Sequence, residues 1–411
     1  MWSTLPFAVI ANISDRPARK KHRSDRIASI RSVCKPWCAA VTENVRALHI
    51  ANCENILRMR RLLNTTPLLR SLTIRETREC CVLYLGEFRR YLPALTAVTL
   101  RECNLRDSPV SLGAAVAGVT SLTLAFCDTD VSVYDGLGNV SSLSSLSIYF
   151  SGREPSEEAD MRALREISAA TSLTSLTLTA RPIEHWGFDG LENLTMLDVT
   201  DCELTTVGME KLGRLSRLTH LDLGFNPDIE DADLAYLPAG LKSLNLEGCS
   251  GLSDDCVDWL RDTGIESLNV DGLGITDSFL AGLRGMTNLK SIKMEALVHT
   301  ALTTALAQMT WLESVSLSFP LTGIDIIDIR ADIAGKIKAL SLYYRDMTDA
   351  DLRPLASLET LELVSCTGTM ESLRLPPSVT SVTLSYCSTT TAAGLMNIDR
   401  MPSLESLHVK P

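Results

Sequence analysis

The chain has 411 residues, 45% hydrophobic, 5% aromatic and 22% charged, and its 39 Lys and Arg against 50 Asp and Glu give a net charge of −11 at pH 7. No uninterrupted apolar stretch approaches the roughly 20 residues of a membrane span, and the longest early one, Leu5 to Ile13, is followed by basic residues rather than preceded by them, so neither membrane association nor an export signal is expected. Residues 1–106 carry 19 basic and 8 acidic side chains while the other 305 carry 20 and 42, which leaves no basic stripe of the kind nucleic acid requires.

Residues 1–44 stand apart from the rest. Val9, Ile10 and Ile13, then Ile27, Ile30, Val33, Cys34, Trp37 and Val41, fall at helical spacings of three and four, which predicts two or three short amphipathic helices. Pro36 suits the first turn of a helix beginning near Lys35, and Trp37 would anchor the cluster. The opening Leu5-Pro6, the spaced aliphatics and the closing Val33-Cys34-Lys35-Pro36-Trp37 resemble the F-box. That resemblance implies a face for a Skp-type adaptor built from Leu5, Pro6, Ile10, Ile13, Ile30, Val33 and Trp37. The connection from Asp15 to Arg23 is longer and more basic than the F-box pattern has, and its run from Arg19 to Arg23 reads as a solvated loop or a nuclear-import signal. The alternative for the whole segment is a cap over the first repeat of a stacked array.

From residue 45 onward a nine-residue phrase, Leu-x-x-Leu-x-Leu-x-x-Cys, recurs sixteen times at a mean step of about 24 residues. Clear copies begin at Leu95, Val119, Leu194, Leu241 and Leu358. The fourth and sixth positions are apolar between polar neighbours, the period of a half-buried strand. One such unit cannot bury its apolar face alone, so neighbours must stack. The phrase resembles the leucine-rich repeat, which implies an α/β fold: a curved, horseshoe-like solenoid over residues 45–411 with one short parallel strand per repeat on a concave sheet.

Of the 12 cysteines, seven (Cys53, Cys103, Cys127, Cys202, Cys249, Cys366 and Cys387) occupy the ninth position, where a small side chain with a weak S–H donor fits beside backbone carbonyls. They are expected to be free core thiols. With no export signal, reduced cysteines favour cytoplasm or nucleus.

Third, fifth and seventh positions point onto the concave face. Ten of the sixteen third positions are serine, which makes that face shallow. Asp198, Asp222, Glu247, Asp271 and Glu295 fall at fifth and seventh positions of five successive repeats, a line of roughly 20 Å at the strand spacing. It is expected either to hold a basic segment of a partner or simply to solvate the sheet. Arg75 and Arg101 mark a basic end, with Arg78 and Arg106 in the turns behind. They suit a bipolar target or phosphate recognition, or are solvated charge.

The repeat from Leu143 to Leu173 is longer than the others, and a helix capped by Ser156 and running to about Ala169 is predicted within it. Trp186, Trp259 and Trp311 fall outside the strands and are expected to pad the solenoid; His220 is expected at the surface. The last phrase, Leu404, Leu407 and Val409, is followed only by Lys410 and Pro411, so its strand is expected either to meet a partner or to fray.

The sequence holds no phosphate-cradling Gly-rich loop, nucleophile elbow, HExxH or paired metal motif, so no catalysis, cofactor or metal is expected. The enzymatic alternative, a leucine-rich GTPase-activating protein acting through Arg75 or Arg101, fits poorly with a 24-residue period. Together the two resemblances imply a substrate-recognition subunit of an SCF-type ubiquitin ligase, with a Skp-type adaptor and a cullin as partners and a protein target on the concave face. A non-catalytic scaffold is the other reading.

Overall fold

The computed structural model describes residues 46–51, 66–75, 85–86, 92–105, 111–129, 131–150, 157–183, 186, 188–295, 299–319, 334–343, 346–347 and 352–410. The seven residues assigned to an adaptor face lie outside them, as do Arg78 and Arg106.

Strands β1 (Ala47–Ala51), β2 (Ser71–Arg75), β3 (Ala97–Arg101), β4 (Ser121–Ala125), β5 (Ser145–Tyr149), β6 (Ser175–Thr179) and β7 (Met196–Asp198) come first. After them come β8 (His220–Asp222), β9 (Ser243–Asn245), β10 (Ser267–Asn269), β11 (Ser291–Glu295), β12 (Ser314–Phe319), β13 (Ile337–Tyr343), β14 (Thr360–Val364), β15 (Ser381–Ser385) and β16 (Ser406–Lys410). Their order is the chain order and the pairing is parallel, which is the α/β leucine-rich-repeat solenoid. Backbone contacts divide the chain into two units, one reaching Arg181 and including Trp186–Leu197, the other holding Pro182–His185 and Asp198–Pro411.

Within a unit each strand joins its neighbour in the same register of the phrase. Ser71, Ala97, Ser121, Ser145 and Ser175, all third positions, form one row across β2 to β6. The fourth and sixth positions behind them are buried, as Leu72 and Ile74, Val98 and Leu100, and Leu122 and Leu124 show. Burial of each such side chain contributes roughly 1.5 to 3 kcal/mol, repeated at every turn.

One junction departs from this register. At β12 and β13, Leu317 pairs with Leu340, a sixth position with a fourth, through a bulge at the start of β13. The offset is two residues, so the alternation of inward and outward side chains survives it.

The eighth and ninth positions explain how each strand ends. The eighth residue turns into the left-handed region in most described repeats, with φ of 53° at Glu102 and Phe126, 58° at Phe225 and 57° at Tyr386. Its N–H donates to the seventh-position carbonyl of the next repeat, as in Phe126 to Tyr149 (2.8 Å) and Phe225 to Glu247 (2.7 Å). That turn swings the ninth side chain inward. Cys127 Sγ then donates to the Leu100 carbonyl (3.3 Å), Cys249 Sγ to Leu223 (3.1 Å) and Cys366 Sγ to Leu342 (3.3 Å), in each case the sixth residue of the preceding repeat. Asn226 fills the same slot, fully buried, donating to the Val199 (2.9 Å) and Leu223 (2.7 Å) carbonyls and accepting from the N–H groups of Cys202 and Leu204 (3.0 Å each). The described cysteines are free thiols.

On the side away from the sheet lie helices α1 (Leu112–Ala115), α2 (Glu157–Ser168), α3 (Thr206–Leu212), α4 (Cys256–Leu260), α5 (Asp277–Leu283), α6 (His299–Gln308) and α7 (Ala392–Asp399). Helix α2 is the one predicted in the long repeat, though Ser156, expected to cap it, lies outside the described residues, and it buries Ala163, Leu164 and Ile167. Trp186 is buried, with its indole N–H on Ser168 Oγ at 2.8 Å, and Trp311 donates to the Met286 carbonyl at 3.0 Å. Trp259 differs from expectation: on the short α4 it stays 46% exposed, because Val257 and Leu260 take the inward positions. His220 is at the surface. In the last repeat, Leu404 just ahead of β16 and Leu407 within it are only half-buried, and Val409 is exposed. Among the described residues no helix is long and apolar enough to cross a membrane.

Candidate functional site

The open face of the sheet carries the third, fifth and seventh positions, and in the second unit those from Asp198 to Ser318 form a polar ladder. It begins with a turn rather than with free carboxylates. Fifth-position Asp198, Asp222, Asn245 and Asn269 each accept, through Oδ1, the N–H of the residue two further on, at 3.1, 2.9, 3.0 and 3.1 Å. An Asx side chain bonding two residues ahead is a local substitute for the strand ladder. It accounts for strands β7 to β10 having three residues each.

The turns are tied to one another across repeats. Asp222 Oδ1 also accepts from Asn245 Nδ2 (2.8 Å), and Asn269 Nδ2 donates to Glu247 Oε2 (2.8 Å). Thr200 Oγ1 lies 2.7 Å from Asp198 and 3.1 Å from Asp222. A hydroxyl has one proton to give, so two ionised carboxylates cannot both be served by it. Burial raises the Asp198 pKa above the ordinary 3.8, and the neighbouring Asp222 adds to the rise.

Further along, the acids meet a cation from the chain itself. Lys293, a fifth-position residue of β11, places Nζ 2.8 Å from Glu247 and 3.1 Å from Asp271. Asp271 is nearly buried and also accepts from the Ser318 hydroxyl. Burial works to raise the Glu247 carboxyl, but the bonds from Lys293 and Asn269 outweigh it and hold the pKa below the ordinary value. For Lys293 burial is likewise outweighed, by Glu247 and Asp271, and its pKa is raised. Glu295 moves the other way from Glu247, pushed up by burial and by Asp271. The geometry thus links Asp198 with Asp222 through Thr200, and Glu247 with Asp271 through Lys293.

In the first unit, Arg75 and Arg101 converge on a residue the sequence did not single out, Glu102, at 3.3 and 3.2 Å. The Arg101 guanidinium stands 5.7 Å from the Phe126 ring centroid, and Phe126 in turn lies 6.5 Å from Tyr149.

No family model and no curated protein matches the sequence. Among solved structures the chain is similar to one titled the crystal structure of the Rad7 and Elc1 complex in yeast, with a TM-score of 0.42 and 14% identity over 80% of this chain and 98% of that one. It is also similar to the Toll–Spatzle complex of Drosophila, with a TM-score of 0.40 and 13% identity over 83% of this chain and 43% of that one. The TLR13–ssRNA13 complex matches with a TM-score of 0.43 and 16% identity over 84% of this chain and 57% of that one.

Among the described residues no group of three or more His, Cys, Asp and Glu is arranged to hold a metal ion. What the open face offers chemically is a shallow polar surface with fixed donors, acceptors and charges.

Proposed function

We propose that this chain is a protein-recognition solenoid, and more specifically the substrate-binding subunit of an SCF-type ubiquitin ligase. One observation carries the recognition role: the open-face side chains from Asp198 to Ser318 are held in a ladder of hydrogen bonds and ion pairs, so the surface is ordered before any partner arrives. Preorganised groups lose little freedom on binding, which favours recognition over mere solvation. The ligase reading is supported by the F-box-like phrase Val33-Cys34-Lys35-Pro36-Trp37 ahead of the repeats. Leu5, Pro6, Ile10, Ile13, Ile30, Val33 and Trp37 would meet a Skp-type adaptor that joins the chain to a cullin. The target would lie on the open face, against Asp198, Asp222 and Glu295, which are the acids without Lys293 beside them. Its own contribution is positioning; ubiquitin chemistry would belong to other subunits.

Co-expression with a Skp-type adaptor and a cullin tests this reading. Capture of both, lost in the Leu5→Ala, Trp37→Ala double variant and retained in Asp222→Lys, is the expected result. Failure of the wild-type chain to capture an adaptor would leave a scaffold with an N-terminal cap.

A further inference from the structure

Among the described residues, cysteines hold the ninth position of consecutive repeats at Cys103 with Cys127 and at Cys366 with Cys387. Cys202 and Cys249 hold the same slot but stand two repeats apart, with Asn226 between them. Around Cys366 and Cys387 the repeats run in register, with Leu363 facing Leu384 and Val364 facing Ser385 across β14 and β15. The Ser365 N–H donates to the Ser385 carbonyl (2.8 Å) and, beyond the cysteines, the Gly368 N–H donates to Thr389 Oγ1 (2.9 Å), so the turns are tied on both flanks. One strand spacing therefore separates the two backbones at the cysteines, about 5 Å, within the reach of a disulfide. Cys366 Sγ donates to the Leu342 carbonyl at 3.3 Å and Cys387 Sγ to the Leu363 carbonyl at 3.4 Å. The Cys387 thiol is thus turned toward the repeat that holds Cys366. The two pairs differ in access. Cys103 and Cys127 are both buried, and the Cys127 thiol is pushed up by its hydrogen bond with Cys103 and by burial. Cys366 is buried too, but Cys387 is half-buried between exposed Tyr386 and exposed Ser388 and Thr389.

We propose that Cys366 and Cys387 form a reversible oxidation site, in which a hydroperoxide oxidises Cys387 and Cys366 then closes a disulfide between the β14 and β15 repeats. The Cys387 sulfur, as the thiolate, attacks the peroxide O–O bond and becomes a sulfenic acid, while the other oxygen takes up a proton and leaves as water or an alcohol. The Cys366 sulfur displaces the hydroxyl from the Cys387 sulfur, and the Cys366 proton leaves with that hydroxyl as water. Two thiols lose two electrons and the hydroperoxide gains them. The exposed member meets the oxidant and the buried member resolves it, whereas Cys103 and Cys127 have the same stacking without an entry. Closure would join β14 to β15 covalently and keep Cys387 from the irreversible sulfinic stage. The site lies inside the stack and not on the open face, so it is independent of the ligase reading.

The test is treatment of the reduced, folded full chain with hydrogen peroxide, with and without dimedone, followed by alkylation and non-reducing peptide mapping. A peptide linking Cys366 to Cys387, lighter by two hydrogens and cleaved by dithiothreitol, is the expected product, while Cys103 and Cys127 remain alkylatable thiols. In Cys366→Ser the sulfenic acid at Cys387 has no resolving thiol, so dimedone should capture it several-fold more than in the wild-type chain. The wild-type map decides the matter even where that variant fails to fold. Dimedone capture or sulfinic acid at Cys387 with Cys366 still a thiol would overturn the proposal, as would an unreacted Cys387. Linking of Cys103 to Cys127 at the same rate would overturn it too, because access would then not select the pair.

Discussion

The Lys293 ammonium lies 2.8 Å from the Glu247 carboxylate, across 46 residues of sequence. Lys293 stands on β11 and Glu247 lies just past β9, so the contact spans two steps of the sheet and passes over Asn269, which donates to the same Glu247 oxygen. The cation turns what the sequence shows as a row of negative charge into a largely compensated cluster. Removing it in Lys293→Met should leave Glu247 and nearly buried Asp271 facing each other. Glu247 has a lowered pKa in the folded chain, so it contributes stability above the ordinary carboxylate range and loses it as pH falls through the folded value. The variant should be destabilised by about 1 kcal/mol at about pH 7, allowing for solvent screening, and by much less at about pH 3. Urea unfolding at the two pH values checks this; an equal loss at both would refute the electrostatic account.

Asp198 predicts the opposite sign. Its pKa is raised by burial and by Asp222, so its charged form is disfavoured in the folded chain, and its contribution falls away as pH rises through the folded value. Asp198→Asn keeps the oxygen that accepts the Thr200 N–H and gives the Thr200 hydroxyl an amide donor, leaving its proton for Asp222. The variant should melt higher than wild type at neutral pH, by about 0.5 to 1 kcal/mol in stability, with the gain vanishing below the carboxylate range. Thermal melts across pH distinguish this from a gain independent of titration.

The two cases show what sequence could and could not disclose. Strand positions and the inward cysteines were legible because each repeats at the same step and each is enforced by the same buried neighbours, as at Leu122, Leu124 and Cys127. The long helix α2 was legible because thirty residues must go somewhere between Leu143 and Leu173. Lys293 was not, because its partner is chosen by side-chain reach across two strands rather than by spacing in the phrase. Nor was the structural role of Asp198 and Asp222: an Asx turn and an exposed binding acid use the same residue at the same position. The register offset between Leu317 and Leu340 is also invisible to the phrase, since a two-residue slip preserves its alternation.

The ninth position gives a prediction with its own control. Asn226 serves three carbonyls and two N–H groups inside the stack, so Asn226→Ala would leave several buried backbone groups without partners. A loss of about 2 to 4 kcal/mol is expected. Asn226→Cys should cost less, because a thiol at this position elsewhere donates to the matching carbonyl, as Cys249 does to Leu223. Chemical denaturation ranks the three proteins; equal losses for Ala and Cys would mean that a thiol at this position supplies no hydrogen bond to the Val199 carbonyl.

Burial also sets thiol reactivity. Burial pushes the Cys249 thiol up to about 11, and burial with three nearby aspartates pushes Cys256 up to about 12. The thiolate is the reactive species, so both should resist iodoacetamide at mildly alkaline pH in the folded chain. Cys387, only half-buried, should be alkylated ahead of them. Peptide mapping after timed alkylation reads the order directly, and early modification of Cys249 would contradict the packing described for it.

The eighth position offers a coupled pair. Gly248 has φ 69°, and a Cβ placed on it would lie 2.7 Å from the Phe225 ring. Gly248→Ala therefore meets two penalties, a left-handed backbone that disfavours any side chain and a collision with the ring, for a loss of about 2 kcal/mol. Phe225 is 52% exposed and is itself left-handed at φ 58°, so Phe225→Ala should cost little. In the Phe225→Ala background only the backbone penalty of Gly248→Ala remains, about 1 kcal/mol. The double-mutant cycle should therefore show that the two substitutions together are less harmful than their sum, with a coupling of about 1 kcal/mol. Strict additivity would place the whole cost in the backbone and remove the ring contact from the account.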